Sequence, residues 1–197
     1  MKGLIKYGMI LGTICLISAG LLACVNLLTK ERILAQTNNE EIASLKEIFP
    51  DAASFSPVKQ EDKILYYLAE DNHKNILGAA FKADGKGYSS VIETMAGVTP
   101  DGTITAIKIL NQNETPGLGS RICEVEADTT IFEAIKGKTK QNIPRKPWFQ
   151  EQFCNKNIDN FDSIEAITGA TISSRAVITS VQKRAKEVLE MIKKNNP

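Results

Sequence analysis

The sequence predicts an α+β fold: a domain with a largely antiparallel sheet and flanking helices, behind a single N-terminal transmembrane helix. Three observations carry this. Residues 7–29 contain no Asp, Glu, Lys, Arg or His. Segments 63–69, 76–83, 88–98 and 103–111 cluster Tyr, Val, Ile, Thr and Phe, with Gly, Asn or Pro between them, the punctuation of strands joined by turns. Residues 172–194 return apolar side chains at helical spacing. Strands come in a run before this helix rather than alternating with helices, which favours α+β over a parallel sheet.

The apolar run is long enough to cross a hydrocarbon core of roughly 30 Å, which takes about 20 residues. Asn26 and Thr29 make its last turn polar, and Gly12, Ala19, Gly20 and Ala23 offer small surfaces to another helix. The competing reading is a cleaved signal, with Lys2 and Lys6 as its basic start and 7–22 as its core. Leu21-Leu22-Ala23-Cys24 even resembles a lipobox, although Leu at its second position is atypical. Lys2, Lys6 and the terminal amine at one end nearly balance Lys30 and Arg32 at the other. The short stub at the start favours a cytoplasmic N-terminus.

Beyond the anchor, residues 38–49 predict a helix. Asn38 or Asn39 caps it, Ile42, Leu45, Ile48 and Phe49 recur at helical spacing, and Pro50 stops it. The four strand segments follow. Thr99-Pro100-Asp101-Gly102 is a tight turn that makes the last two a hairpin. Residues 129–136 predict a second helix, with a capping box from Thr130 to Glu133 and Gly137 to end it. Residues 138–162 read as irregular, with Pro144, Pro147 and Trp148. The final helix carries Val177, Val181, Val188 and Ile192 as its apolar stripe. The expected organisation is a stub and anchor over 1–29, a juxtamembrane helix and linker over 30–62, and a folded domain over 63–197.

Composition excludes several classes of function. Lys+Arg of 24 against Asp+Glu of 23 leaves a net charge of +1, without the basic excess of a nucleic-acid coater. With 43% hydrophobic and 24% charged residues the chain is not a disordered one. The 1–29 segment holds two Lys and no acid, so the remainder is slightly acidic. One His (His73, in a turn-like Asp71–Asn75 stretch) and no C-x-x-C speak against zinc, c-type haem and iron–sulfur sites. A Ser-His-Asp arrangement elsewhere in the chain has no histidine to use. No catalytic residue and no metal ligand is therefore expected. Cys123 and Cys154 allow one disulfide in an oxidising compartment, without requiring it.

Two strings stand out. Ile167-Thr168-Gly169-Ala170-Thr171-Ile172-Ser173-Ser174 precedes the last helix. Small residues permit close backbone approach, and free amides at a helix start favour an anion such as phosphate. Thr168, Thr171, Ser173 and Ser174 add hydroxyl donors, although Ser or Thr there is more often only a cap. Asn113-Glu114-Thr115-Pro116-Gly117-Leu118-Gly119 leaves the 103–111 strand through a Pro-Gly turn.

Together with the anchor, the LKEIFP helix end (Leu45–Pro50) and Gly87-Tyr88-Ser89, these strings resemble the covalent FMN-binding domain of the G subunit of Rnf electron-transport complexes. The C subunit of Na+-translocating NADH:quinone reductase is related and remains an alternative, as does a cofactor-free anchored binding or assembly module. The resemblance implies FMN esterified to Thr171 by a dedicated flavin transferase that uses FAD. Thr168, Gly169 and Ala170 complete the motif. The family's motif has Asp six positions before the modified Thr; Glu165 stands there, keeping the carboxylate with one more methylene. Glu114, Thr115, Gly117 and Leu118 are implied beside the flavin, with Ser173 and Ser174 at its phosphate. Tyr88, Trp148 and Phe149 are stacking candidates that core packing would equally explain, and Arg121 or Arg175 could balance phosphate charge. The implied partners are the membrane and iron–sulfur subunits of a complex linking ferredoxin and NAD. The implied setting is a bacterial inner membrane, with the domain outside the cytoplasm.

Overall fold

The computed structural model describes residues 2–60, 63–125 and 147–195. Helix α1 runs unbroken over Lys2–Ile48. It therefore joins the predicted anchor and the predicted 38–49 helix, with no break at Asn38 or Asn39. Nothing between them forces one: no Pro or Gly falls between Gly20 and Pro50. Its 47 residues span about 70 Å, and among the described residues it is the one helix long and apolar enough to cross a membrane. The chain forms two compact units, Met1–Ile42 and Ala43–Pro197.

The second unit is built on a six-stranded sheet in sequential order β1 to β6: Ser54–Gln60, Lys63–Glu70, Ile76–Lys86, Val91–Val98, Thr103–Asn111 and Lys156–Asn157. Every neighbouring pair is antiparallel, as predicted. The turn at Thr99–Gly102 closes with Gly102 N–H on Thr99 O at 3.0 Å and Gly102 at φ +86°. Strand β1 is not among the predicted elements. Ser, Pro, Lys and Gln dominate it, and it is tolerated because it lies on the sheet edge, where Pro57 forfeits little. The predicted 88–98 strand begins at Val91, because the amides of residues 88–90 are spent elsewhere.

After β5 come a 3-10 turn over Gly119–Cys123, a short helix α2 (Trp148–Glu151), β6, a second 3-10 stretch over Ile158–Ser163, and the long helix α3 (Thr171–Asn195). The stretch expected to be irregular thus holds short regular pieces. The predicted 129–136 helix and Pro144 lie outside the described residues.

The sheet has a core on each face. On one, Val177, Val181, Ala185 and Val188 of α3 pack over Phe81, Ala83, Ile92 and Ala96. Gly85 permits this: a Cβ there would meet Ala176 O at 2.5 Å, so the missing side chain lets α3 lie on β3. Phe149, Phe153 and Phe161 extend this core through edge-to-face contacts at 5.5 Å. On the other face Leu45, Ile48 and Phe49 pack against Ala69, Ala80, Met95 and Ala106. Cys123 borders the first core and Cys154 the second, and no disulfide joins them.

Candidate functional site

The two strings picked out from the sequence meet at the N-terminus of α3. Each contains a tight turn with glycine at its third position. Leu118 N–H returns to Thr115 O at 3.1 Å, with Pro116 and Gly117 (φ +72°) between. Ala170 N–H returns to Ile167 O at 2.9 Å, with Thr168 and Gly169 (φ +83°) between. A positive φ at that position is the type II arrangement, which glycine adopts without strain. The turns touch: a Cβ on Gly169 would stand 3.6 Å from Leu118 Cδ2. Arg121 Nη1 ties them by donating to Thr168 O at 3.1 Å.

Glu114 is the hub. It is 5% exposed, and its carboxylate accepts five hydrogen bonds. Oε2 takes the Tyr88 amide at 3.1 Å and the Ser173 hydroxyl at 2.5 Å. Oε1 takes the Ser89 and Ser90 amides at 2.9 Å and the Ser90 hydroxyl at 3.3 Å. Burial alone would raise its pKa. The bonds from Ser173, Ser90, Ser89 and Tyr88 outweigh burial and leave it below the ordinary carboxylate value. Two glycines admit the carboxylate. A Cβ on Gly87 would fall 2.6 Å from Oε1, and one on Gly119 would fall 2.7 Å from Oε2.

Beside this hub lies a cleft of about 360 Å³, within the range of small-molecule sites, lined by Tyr88, Glu114, Thr115, Leu118, Gly119 and Gly169–Ser173. Thr171 opens α3, is exposed and lines the cleft. Ser174 N–H is bonded to Ala170 O at 2.9 Å. The amides of Thr171, Ile172 and Ser173 precede it and have no helical carbonyl behind them. They are the natural donors for an anion at this end.

The other expected residues separate. Thr168, Thr115, Gly117 and Leu118 are exposed around the two turns, and Ala170 is buried. Ser173 and Ser174 are buried with internal partners: Ser173 gives its one hydroxyl proton to Glu114, and Ser174 Oγ accepts from Ile167 N–H at 3.1 Å. Glu165 is exposed, its backbone held at both ends by the Gln152 amide, at 2.8 and 3.1 Å. Tyr88, 74% exposed, lines the cleft. Phe149 is in the core, while Trp148 and Arg121 border a neighbouring hollow with Thr168. Arg175 is exposed and not among the cleft-lining residues. Gly119, at the end of the loop expected beside the flavin, does line the cleft; sequence reasoning missed Ile172 as lining and Gln152 as the clip on Glu165. Ile172 sits in the quoted string before the last helix, whereas nothing in the sequence marks Gln152.

This lining suits FMN. Free amides and a hydroxyl stand at the helix start for a phosphate. Tyr88, Leu118 and Ile172 are exposed apolar surface with which a planar ring would share burial.

The profile of the FMN-binding domain matches residues 87–186, and that of the RnfG N-terminal region matches residues 1–48. The G subunit of the ion-translocating oxidoreductase complex of Vibrio atlanticus is 30% identical over 97% of this chain and 91% of its own. Its namesake from Pasteurella multocida is 28% identical over 96% of both chains. The G subunit of the Na+-translocating ferredoxin:NAD+ oxidoreductase complex of Acetobacterium woodii is 28% identical over 91% of this chain and 89% of its own. The solved structure of Shewanella oneidensis NqrC covers 73% of this chain and 74% of its own, at 16% identity and a TM-score of 0.42. From the two profiles and the full-length relatives, the chain belongs to the RnfG family of Rnf ion-translocating oxidoreductase complexes, and it carries that family's FMN-binding domain.

Proposed function

We propose that this chain is the anchored flavoprotein subunit of an Rnf-type complex linking ferredoxin and NAD, holding FMN through a phosphoester on Thr171. The observation that carries the attachment is the sorting of four hydroxyls. Ser173 and Ser174 face inward with partners, Thr168 sits in the preceding turn, and Thr171 alone of the four both opens α3 and lines the cleft. FMN, when bound, takes up and passes on one or two electrons, and the tether keeps it from being lost.

The chain's own residues do the holding. Thr171 fixes the phosphate at the helix start, where the free amides and the helix dipole offset its charge. Tyr88, Leu118 and Ile172 supply the apolar wall. Exposed Glu165 stands six residues before Thr171, where a flavin transferase would read it. The other membrane and iron–sulfur subunits of the complex are the electron partners. With α1 as a single-pass anchor, the folded unit lies outside the cytoplasm of a bacterial inner membrane. Domain limits of 1–29, 30–62 and 63–197 go with this reading.

The test is a denaturing gel viewed under ultraviolet light before staining, on the full chain co-expressed with a flavin transferase. A fluorescent band is expected for the wild type and none for Thr171→Ala. A dark wild-type band, or fluorescence surviving in T171A, overturns the attachment.

A further inference from the structure

Glu114 is the only charged side chain buried among the described residues. Its partners there are amides and hydroxyls, with no cation. A buried charge is costly unless its oxygens are fully hydrogen-bonded, and here the bonds come from two other segments that build the cleft. We propose that Glu114 is the positioning residue of the flavin site, acting through Ser173 to set the rotation of the first turn of α3 and so to aim Thr171 into the cleft. Ser173 lies two residues beyond Thr171, about 200° around a helix. Holding Ser173 inward on Glu114 therefore turns Thr171 outward. The same carboxylate holds the Tyr88–Ser90 amides, which fixes Tyr88 in the cleft lining. A carboxylate meets these demands because both its oxygens only accept. The amide of a Gln would turn an NH2 toward N–H donors.

The inference rests on FMN attachment at Thr171, and its test separates the two. Full-length wild type, Glu114→Gln and Ser173→Ala are each co-expressed with a flavin transferase. They are compared by intact mass for the fraction carrying FMN, by thermal melting for folding, and by redox titration of the attached flavin. Expected is FMN loading at least tenfold lower in E114Q and about threefold lower in S173A, with cooperative melting kept. The flavin that does attach to E114Q titrates at a more positive potential, because a negative charge lining the cleft is gone; a carboxylate serving the fold alone would lower the melting temperature and leave FMN loading of the folded chain unmoved. Wild-type loading in a folded E114Q, or an unmoved potential, overturns the proposal. If E114Q fails to melt cooperatively, S173A decides: reduced loading supports the proposal and wild-type loading overturns it. A wild type without FMN overturns the Thr171 reading itself, and the role of Glu114 with it.

Discussion

Glu114 binds a proton less readily in the folded chain than a free glutamate does: burial opposes its charge, but the five bonds it accepts favour that charge more. The direction fixes the pH dependence. A carboxyl lowered on folding contributes stability that is fully present above its ordinary value of 4.5 and is lost as pH falls through the lowered folded value. Urea midpoints of the detergent-solubilised full chain, compared between wild type and Glu114→Gln, should show a gap that is constant from pH 7 to about 5 and closes on further acidification. A gap unchanged down to pH 3 would mean that Glu114 is not held ionised as described. Exposed Asp71 and Asp101, also lowered by local hydrogen bonds, are common to both chains and cancel. At this scale the sequence displays the right residue types, since ETPGLG and TGATISS name most of the cleft lining. Their division of labour is not legible in it. Glu114 and Ser173 are 59 positions apart, and only the folded chain shows that Ser173 spends its proton on Glu114.

The end of α1 docks on the sheet through two missing side chains. A Cβ on Gly97 would stand 2.3 Å from Ile48 Cγ2, 2.4 Å from Thr105 Oγ1 and 2.7 Å from Phe49 Cε2; one on Gly78 would stand 2.8 Å from Phe49 Cζ. Ile48 and Phe49 thus lie in a groove that glycine makes, with the Lys108–Glu47 ion pair at its edge. Gly97→Ala overpacks this groove and should cost about 1–3 kcal/mol in urea unfolding. Ile48→Ala should relieve part of that cost in the double variant, because the methyl that clashes belongs to Ile48. Strictly additive losses would show that the groove is not where the strain falls. The periodicity of Leu45, Ile48 and Phe49 is readable as a helix face, and the strands as strands. What periodicity misses has local causes. Edge strand β1 is polar because few of its side chains are buried. Residues 88–90 leave the ladder because a side chain from another segment takes their amides.

At the scale of the whole molecule, an apolar helix joins a folded unit, Ala43–Pro197, whose acids and bases balance, and its flanks bear on which side of the membrane that unit occupies. Lys2, Lys6 and the terminal amine oppose Lys30 and Arg32, so charge counting barely decides. The proposed reading has that unit outside the cytoplasm. His73 offers a direct test. It is exposed in the turn between β2 and β3, and its backbone amide, bonded to Asp71 Oδ1 at 2.7 Å, keeps that bond whatever the side chain. A His73→Cys chain in spheroplasts, treated with a membrane-impermeant maleimide, should be labelled before the cells are opened. Background from native thiols is low. Cys15 and Cys24 lie in the apolar helix. Cys154 is half-buried. Cys123 is pushed up to about 11 by burial and the neighbouring Glu124, so little of it is the reactive thiolate at neutral pH. Labelling of H73C only after lysis would place the domain in the cytoplasm. The flavin would then stand on the other side from the proposed one, and Lys30 and Arg32 would form the inner flank in place of Lys2 and Lys6.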